Sequence, residues 1–185
     1  MFTDNSKIMA PEETLRYPIG RFIMPASGDP AARIDYVKRI GAVPERLAEL
    51  ADALRARDLL DTSYRPGGWT AQQVIHHLVD SHIHAYRRHK VTLLDHHPTL
   101  VPYDEVAWAE LPDVFAVPVQ ASVDILRGLH LRWAVLLTQC TDAQWARTAY
   151  HPGSGITHTL ETLAATYAWH GDHHLAHLEI VLQEG

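Results

Sequence analysis

The chain has 185 residues, 46% of them hydrophobic and 21% charged, which suffices for one globular domain whose core needs no metal to fold. A net charge of −6 without a lysine or arginine run argues against a nucleic-acid binder, and the single cysteine, Cys140, excludes a disulfide framework. No apolar run approaches the roughly 18 residues of a membrane span, and the first residues do not resemble a signal peptide. We therefore expect a cytoplasmic protein without nucleic-acid or membrane partners.

The N-terminal part divides into an arm and a first helix. Prolines and glycines recur through residues 1–29, which predicts an extended arm with no helix, and residues 30–185 then form a single domain. From Ala31 to about Arg57 the apolar residues keep helical spacing. Pro44 lies in the middle of this stretch and predicts a kink or a break there.

The second helix carries its own start signal. Thr70 followed by Gln73 matches the capping box, in which the two side chains satisfy the first backbone N–H groups of a helix. The helix should therefore begin at Ala71 and run to about Leu94.

The remaining chain predicts two more helices and two connections. Residues 95–117 are rich in proline and form a long crossover, with one helical turn around residues 104–110. A third helix spans about residues 119–139, residues 150–155 form a loop, and a fourth helix spans about residues 159–183. Four long helices without an alternating strand pattern predict an all-α four-helix bundle with a long crossover between helices 2 and 3.

The fourth helix carries the strongest chemical signal. At about 100° per residue, His170 and His174 lie about 40° apart on one face, where two imidazoles one turn apart can hold one metal ion. His173 and His177 form a second pair with the same spacing and remain an alternative.

A third ligand can come from a facing helix. His77 shares its face with Val74 and Leu78, whereas His76 is turned about 100° away, so His77 is the better candidate. The competing interpretation is a core histidine bonded to a carbonyl. Four further histidines are expected on the solvated surface: His82, His89, His96 and His97.

Several motifs in order resemble one family. They are Leu15–Gly20, Gly67–Thr70 with Gln73–His82, Pro102–Glu105 with Trp108, Leu129–His130 with Arg132–Trp133, Tyr150–Pro152 and Trp169–His177. Together they resemble the YfiT-like metal-dependent hydrolases of the DinB superfamily. The resemblance implies a DinB-like four-helix bundle, usually a homodimer, with zinc or nickel held by His77, His170 and His174.

Three neutral histidines leave a divalent ion with an open coordination position, which is typical of a catalytic site. Such a site activates a water or binds a thiol as thiolate. Asp80 and Ser81, on the second helix near His77, are candidates for orienting a ligand or transferring a proton. We expect a hydrolase acting on a small molecule. The alternatives are a transferase of a low-molecular-weight thiol and a non-enzymatic metal-binding stress protein.

Overall fold

The computed structural model describes residues 11–184, and four long helices dominate this part of the chain. They are α2 (Pro30–Ala56), α3 (Ala71–Leu94), α6 (Val119–Thr138) and α8 (Leu160–Glu184). Short elements complete the described fold: α1 (Pro11–Arg16), α4 (Glu105–Trp108), α5 (Pro112–Ala116), α7 (Asp142–Trp145), β1 (Thr148–His151) and β2 (Ile156–Thr159). The prediction of an all-α four-helix bundle is confirmed.

The two helices that carry the candidate site, α3 and α8, are capped at their N-termini by reciprocal side-chain hydrogen bonds. At the start of α3 the hydroxyl of Thr70 accepts from the Gln73 backbone N–H at 3.2 Å, and the Gln73 side chain accepts from the Thr70 N–H at 3.0 Å. Thr159 and Thr162 exchange the same two bonds before α8, at 3.1 and 2.9 Å. Each cap is worth about 1 kcal/mol. The predicted bounds of α3 are confirmed.

Helix α2 continues through Pro44, so of the predicted kink or break the break is wrong. Proline has no backbone N–H and cannot donate to the carbonyl four residues earlier, which is that of Ile40. A side chain supplies the missing donor, since the Nδ1–H of His130 on α6 reaches the Ile40 oxygen at 2.6 Å. Tertiary packing thus compensates for the proline inside the helix.

The arm corrects a second prediction. Residues 11–16 are helical, with Glu12 and Glu13 in the first turn and Arg16 in the last, where their charges complement the helix dipole. Residues 1–10 of the predicted arm lie outside the described part of the chain. The arm is tied to α8 through Glu161, whose buried carboxylate accepts from the Gly28 N–H at 2.9 Å.

The crossover and the last loop contain more structure than predicted. The expected turn is present as α4, whereas α5 was not anticipated. The predicted loop is instead a hairpin, in which β1 and β2 pair antiparallel with Thr148 opposite Thr159. Four-residue strands are too short to show a clear alternating pattern, and this is why the sequence did not reveal them.

The described core consists of two apolar clusters. One packs the four long helices around residues such as Leu47, Leu78 and Leu126, and the other surrounds the fully buried Trp133. Within residues 11–184, no single helix is long and apolar enough to cross a membrane. Residues Glu105–Ala116 and Val119–Thr138 meet that criterion only as a pair bent by 116°.

Candidate metal centre

Helices α3 and α8 bring together the three histidines proposed as ligands. One ring nitrogen from each of His77, His170 and His174 lies within 4.8 Å of the others. The Nε2 atoms of His77 and His170 are 3.3 Å apart. Two nitrogens bound at about 2.0–2.1 Å to one tetrahedral ion are separated by about 3.4 Å, so this pair fits a divalent metal.

Burial keeps the three rings neutral. Loss of solvation lowers the pKa of His77 to about 4, with a smaller contribution from His173. Burial also lowers the pKa values of His170 and His174 well below the ordinary value, and neighbouring histidines add to the effect. Neutral imidazole is the form that binds a metal, so the donor set matches a cation that is soft enough for nitrogen ligands.

Two histidines expected at the surface are instead buried. His82 and His89 are both 0% exposed, and the prediction for them is wrong, whereas His96 and His97 are exposed as expected. The reason is that α3 packs against both α6 and α8, which covers two faces of the helix rather than one. One sequence signal marks these positions: Ile75, His82 and His89 recur every seven residues along a second buried stripe.

His82 lies behind one candidate ligand. Its Nε2 is 3.1 Å from Nδ1 of His170, and its Nδ1 is 2.9 Å from Nε2 of His130. His76, which the sequence placed away from the site, faces α6, where its Nδ1 is 2.7 Å from the Ser122 hydroxyl.

His177 lies behind the other candidate ligand of α8. Its Nδ1 is 3.4 Å from Nδ1 of His174, and its Nε2 is 3.3 Å from the Arg16 carbonyl. His173, His174 and His177 form a second group of nitrogens within 4.8 Å. This group shares His174 with the first, so the two residues left open by the sequence adjoin the triad rather than forming a separate site.

The two residues proposed to assist the chemistry lie in different places. The Ser81 hydroxyl faces the cavity above the triad, 3.4 Å from Nε2 of His170. Asp80 does not line that cavity. Burial raises the pKa of Asp80 to about 6, with a smaller contribution from Asp113.

A cavity of about 650 Å³ opens over the triad, which is the size of pocket that holds a small organic molecule. Three arginines line it, Arg16, Arg65 and Arg88, and Glu105 is its one carboxylate among the described lining residues. Arg88 is only 8% exposed and donates to the Tyr167 hydroxyl and to the Val101 carbonyl. The sequence did not predict the arginines, because they come from segments far apart in the chain.

A helical bundle with inward histidines beneath an open cavity is the arrangement from which helical bundles build metal sites. The sequence profile of the DinB superfamily matches residues 39–178. This chain therefore belongs to the DinB superfamily.

Known relatives agree with that assignment. "Putative metal-dependent hydrolase YfiT" of Bacillus subtilis is 40% identical over 164 residues, which cover 89% of this chain and 92% of the relative. A Bacillus mycoides protein, also named "Putative metal-dependent hydrolase", is 43% identical, with coverage of 89% and 93%. The predicted resemblance to the YfiT-like proteins is confirmed.

A solved structure extends the similarity to the fold. The structure of YfiT from Bacillus subtilis superimposes with a TM-score of 0.88 at 38% identity, covering 92% of this chain and 97% of that one. It is described as "a probable metal-dependent hydrolase with an unusual four-helix bundle topology".

Proposed function

We propose that this chain is a metal-dependent hydrolase in which His77, His170 and His174 hold zinc or nickel. The observation that supports this proposal is the convergence of three buried, neutral imidazoles from two helices on the floor of a cavity of about 650 Å³. Three ligands leave a coordination position open toward the cavity, and relatives at 40–43% identity are named as metal-dependent hydrolases.

The side chains around the triad suit a polar small-molecule substrate. When bound, a divalent ion supplies an acidified water or a polarised substrate oxygen. The Ser81 hydroxyl, 3.4 Å from His170, is placed to orient a polar group at the open position. Trp69, whose ring centre is 4.7 Å from that of His77, lines the cavity beside the triad and gives it an aromatic wall.

The charges of the cavity favour a second candidate, a transferase of a low-molecular-weight thiol. Within the described chain no carboxylate is hydrogen-bonded to a triad histidine, and a coordinated thiol would lose its proton to solvent without needing a side-chain base. Arg16, Arg65 and Arg88 would attract an acidic thiol. The thiolate sulfur would bond to an electrophilic carbon, whose leaving group departs with its electron pair, and the thiol proton passes to solvent.

One experiment separates these candidates. Protein loaded with zinc or nickel is assayed against a panel of esters and amides without thiol, and against an alkylating electrophile with and without a thiol. Turnover without thiol that is lost on chelation supports the hydrolase, and turnover that requires a thiol supports the transferase. Stoichiometric metal with no turnover supports the non-enzymatic metal-binding protein. A wild-type protein that binds no metal contradicts all three.

A further inference from the structure

A line of buried groups runs from the triad on α8 through α3 and α6 to α2. Nδ1 of His170 is 3.1 Å from Nε2 of His82, whose Nδ1 is 2.9 Å from Nε2 of His130. Nδ1 of His130 ends the line 2.6 Å from the carbonyl oxygen of Ile40. We call these three histidines the histidine relay. It uses both ring nitrogens of His82 and of His130. His82 is 0% exposed and His130 is 1% exposed.

The terminal carbonyl sets the direction of every bond in the histidine relay. A carbonyl oxygen only accepts, so Nδ1 of His130 must carry a proton, and a neutral ring then has a bare Nε2. That Nε2 can only accept, so His82 donates from Nδ1 and is itself bare at Nε2. By the same step His170 donates from Nδ1, which leaves the lone pair of its Nε2 on the side of His77 and the cavity.

Neutral rings are required for this reasoning, and the environment provides them. Both nitrogens of His82 and of His130 face another histidine or a carbonyl, so neither ring meets a carboxylate that could balance a positive charge. An unpaired charge at such a buried position would be costly.

The carbonyl that sets the direction is available because of Pro44. In an uninterrupted helix the Ile40 oxygen would accept from the N–H of residue 44, and proline has none. The oxygen therefore needs another donor, and His130 on the neighbouring helix is that donor. The proline inside α2 and the histidine on α6 together form the fixed end of the histidine relay.

We propose that His82 and His130 are positioning residues that hold His170 as its Nδ1–H tautomer, with Nε2 directed to the metal position. The proposal rests on the metal-binding role of the triad and adds residues that do not touch the ion. Partners that fix the ring and tautomer of a histidine ligand typically change metal affinity by about 10–100-fold when they are removed. The structure repeats the arrangement more loosely at His174, where His177 stands before the Arg16 carbonyl.

A simpler explanation is that His82 only fills space, and His89 provides the comparison. Both are fully buried on α3, and both pack on Trp133 and Tyr167, with ring centres 5.1–6.1 Å apart. The Nδ1 of His89 bonds to the Ala85 carbonyl of its own helix at 2.8 Å, and the ring makes no hydrogen bond to a triad histidine. His89 is therefore a matched control.

The first test reads the tautomers in the metal-free protein. Long-range proton–nitrogen NMR correlations of the imidazole rings distinguish Nδ1–H from Nε2–H. We expect Nδ1–H for His170, His82 and His130. An Nε2–H tautomer at His170 overturns the proposal, and this result does not depend on whether the protein binds a metal.

The second test measures zinc affinity by competition with a chromophoric chelator. We expect His82→Leu to weaken binding by about 10–100-fold. His82→Gln should restore much of the affinity, because an amide oxygen can accept from His170. His89→Leu should bind zinc as the wild type does.

Two results of the affinity test would overturn the proposal. One is an equal loss in His82→Leu and His89→Leu, and the other is no loss in His82→Leu. If His82→Leu does not fold, two measurements decide instead. One is the zinc affinity of His82→Gln relative to the wild type, and the other is the tautomer of His170 read by NMR. A wild-type protein without measurable zinc affinity refutes the proposed function and leaves the tautomer result standing.

Discussion

The hydrogen-bond partners of the ring nitrogens distinguish the histidines of this protein from one another. The chain has 14 of them, and at the candidate centre His170 faces His77 with Nε2 and His82 with Nδ1. His89 bonds only to a carbonyl of its own helix, and His96 is exposed to solvent. Spacing along a helix therefore selects candidates, while the hydrogen-bond partner assigns the role.

Alanine substitution in the triad tests the ligand assignment. We expect His174→Ala to lose most of the bound metal, because two of the three nitrogens remain and a divalent ion is then held by fewer bonds. His96→Ala is the control and should retain the metal content of the wild type. Metal per protomer is measured by elemental analysis after dialysis. Full occupancy in His174→Ala would contradict the assignment.

The close approach of α2 and α8 depends on a glycine. A Cβ built on Gly171 lies 2.6 Å from Cγ2 of Val43, so the two helices are as close as glycine allows. Gly171 lies between the two candidate ligands of α8, and its neighbour Asp172 accepts from Arg39 of α2 at 2.8 Å. The helix that presents the ligands is therefore held against α2 by packing and by charge.

Alanine normally stabilises a helix relative to glycine, but substitution of Gly171 by alanine should destabilise this fold. We expect Gly171→Ala to lower the free energy of unfolding by about 1–3 kcal/mol, because the methyl group overpacks the interface. Gly128→Ala on α6 is the matched control, since a Cβ there meets nothing within 4 Å. It should raise the free energy of unfolding by up to about 1 kcal/mol. Denaturant titration measures both free energies of unfolding. A higher value for Gly171→Ala than for the wild type would contradict the prediction, since it would show that the contact with Val43 relaxes to admit a methyl group.

Buried neutral histidines link the stability of the whole molecule to pH. Burial is the main cause that lowers the pKa of His89 and of His130 to about 4, from an ordinary value of 6.5. The unfolded chain therefore takes up protons at a higher pH than the folded one. The stability from these residues is fully present above about pH 6.5 and is lost as the pH falls toward 4.

Acid should consequently unfold the metal-free protein in that window. Each unit of pKa depression corresponds to about 1.4 kcal/mol, and several buried histidines contribute together. The free energy of unfolding, measured by denaturant titration at pH values from 7.5 to about 4, should fall steadily below pH 6.5. His89→Leu should show a shallower slope, because it removes one titrating group. A pH-independent free energy of unfolding would contradict this account.

Assembly is the second property of the whole molecule, and we predict a homodimer. The crossover exposes large apolar residues, among them Phe115 at 56% and Val106 at 59%, which a second copy could cover. Light scattering should give twice the 20.8 kDa of one chain, and Phe115→Asp should shift the protein toward the monomer. A single 20.8 kDa species at micromolar concentration would contradict the prediction.

The sequence by itself determined the four long helices, the start of α3 at its capping box and the shared face of His170 and His174, while His77 was chosen as the third candidate ligand with the help of the family resemblance. These features are local, because caps act within one turn and helical spacing places His170 and His174 on one face whatever surrounds them. The short hairpin and α5 escaped prediction, since segments of four or five residues carry too little pattern.

Tertiary structure alone decided what lies around the triad. His82 was expected at the surface because its surroundings depend on which helices cover α3. The seven-residue recurrence of Ile75, His82 and His89 marks a second buried stripe, but it does not say which helices pack there. Pro44 predicted a kink or a break because the donor that replaces its missing N–H, His130, is 86 residues away on another helix. The cavity, its arginines and the histidine relay are made by segments that are far apart in the chain. Only the packing of the folded protein brings these segments together.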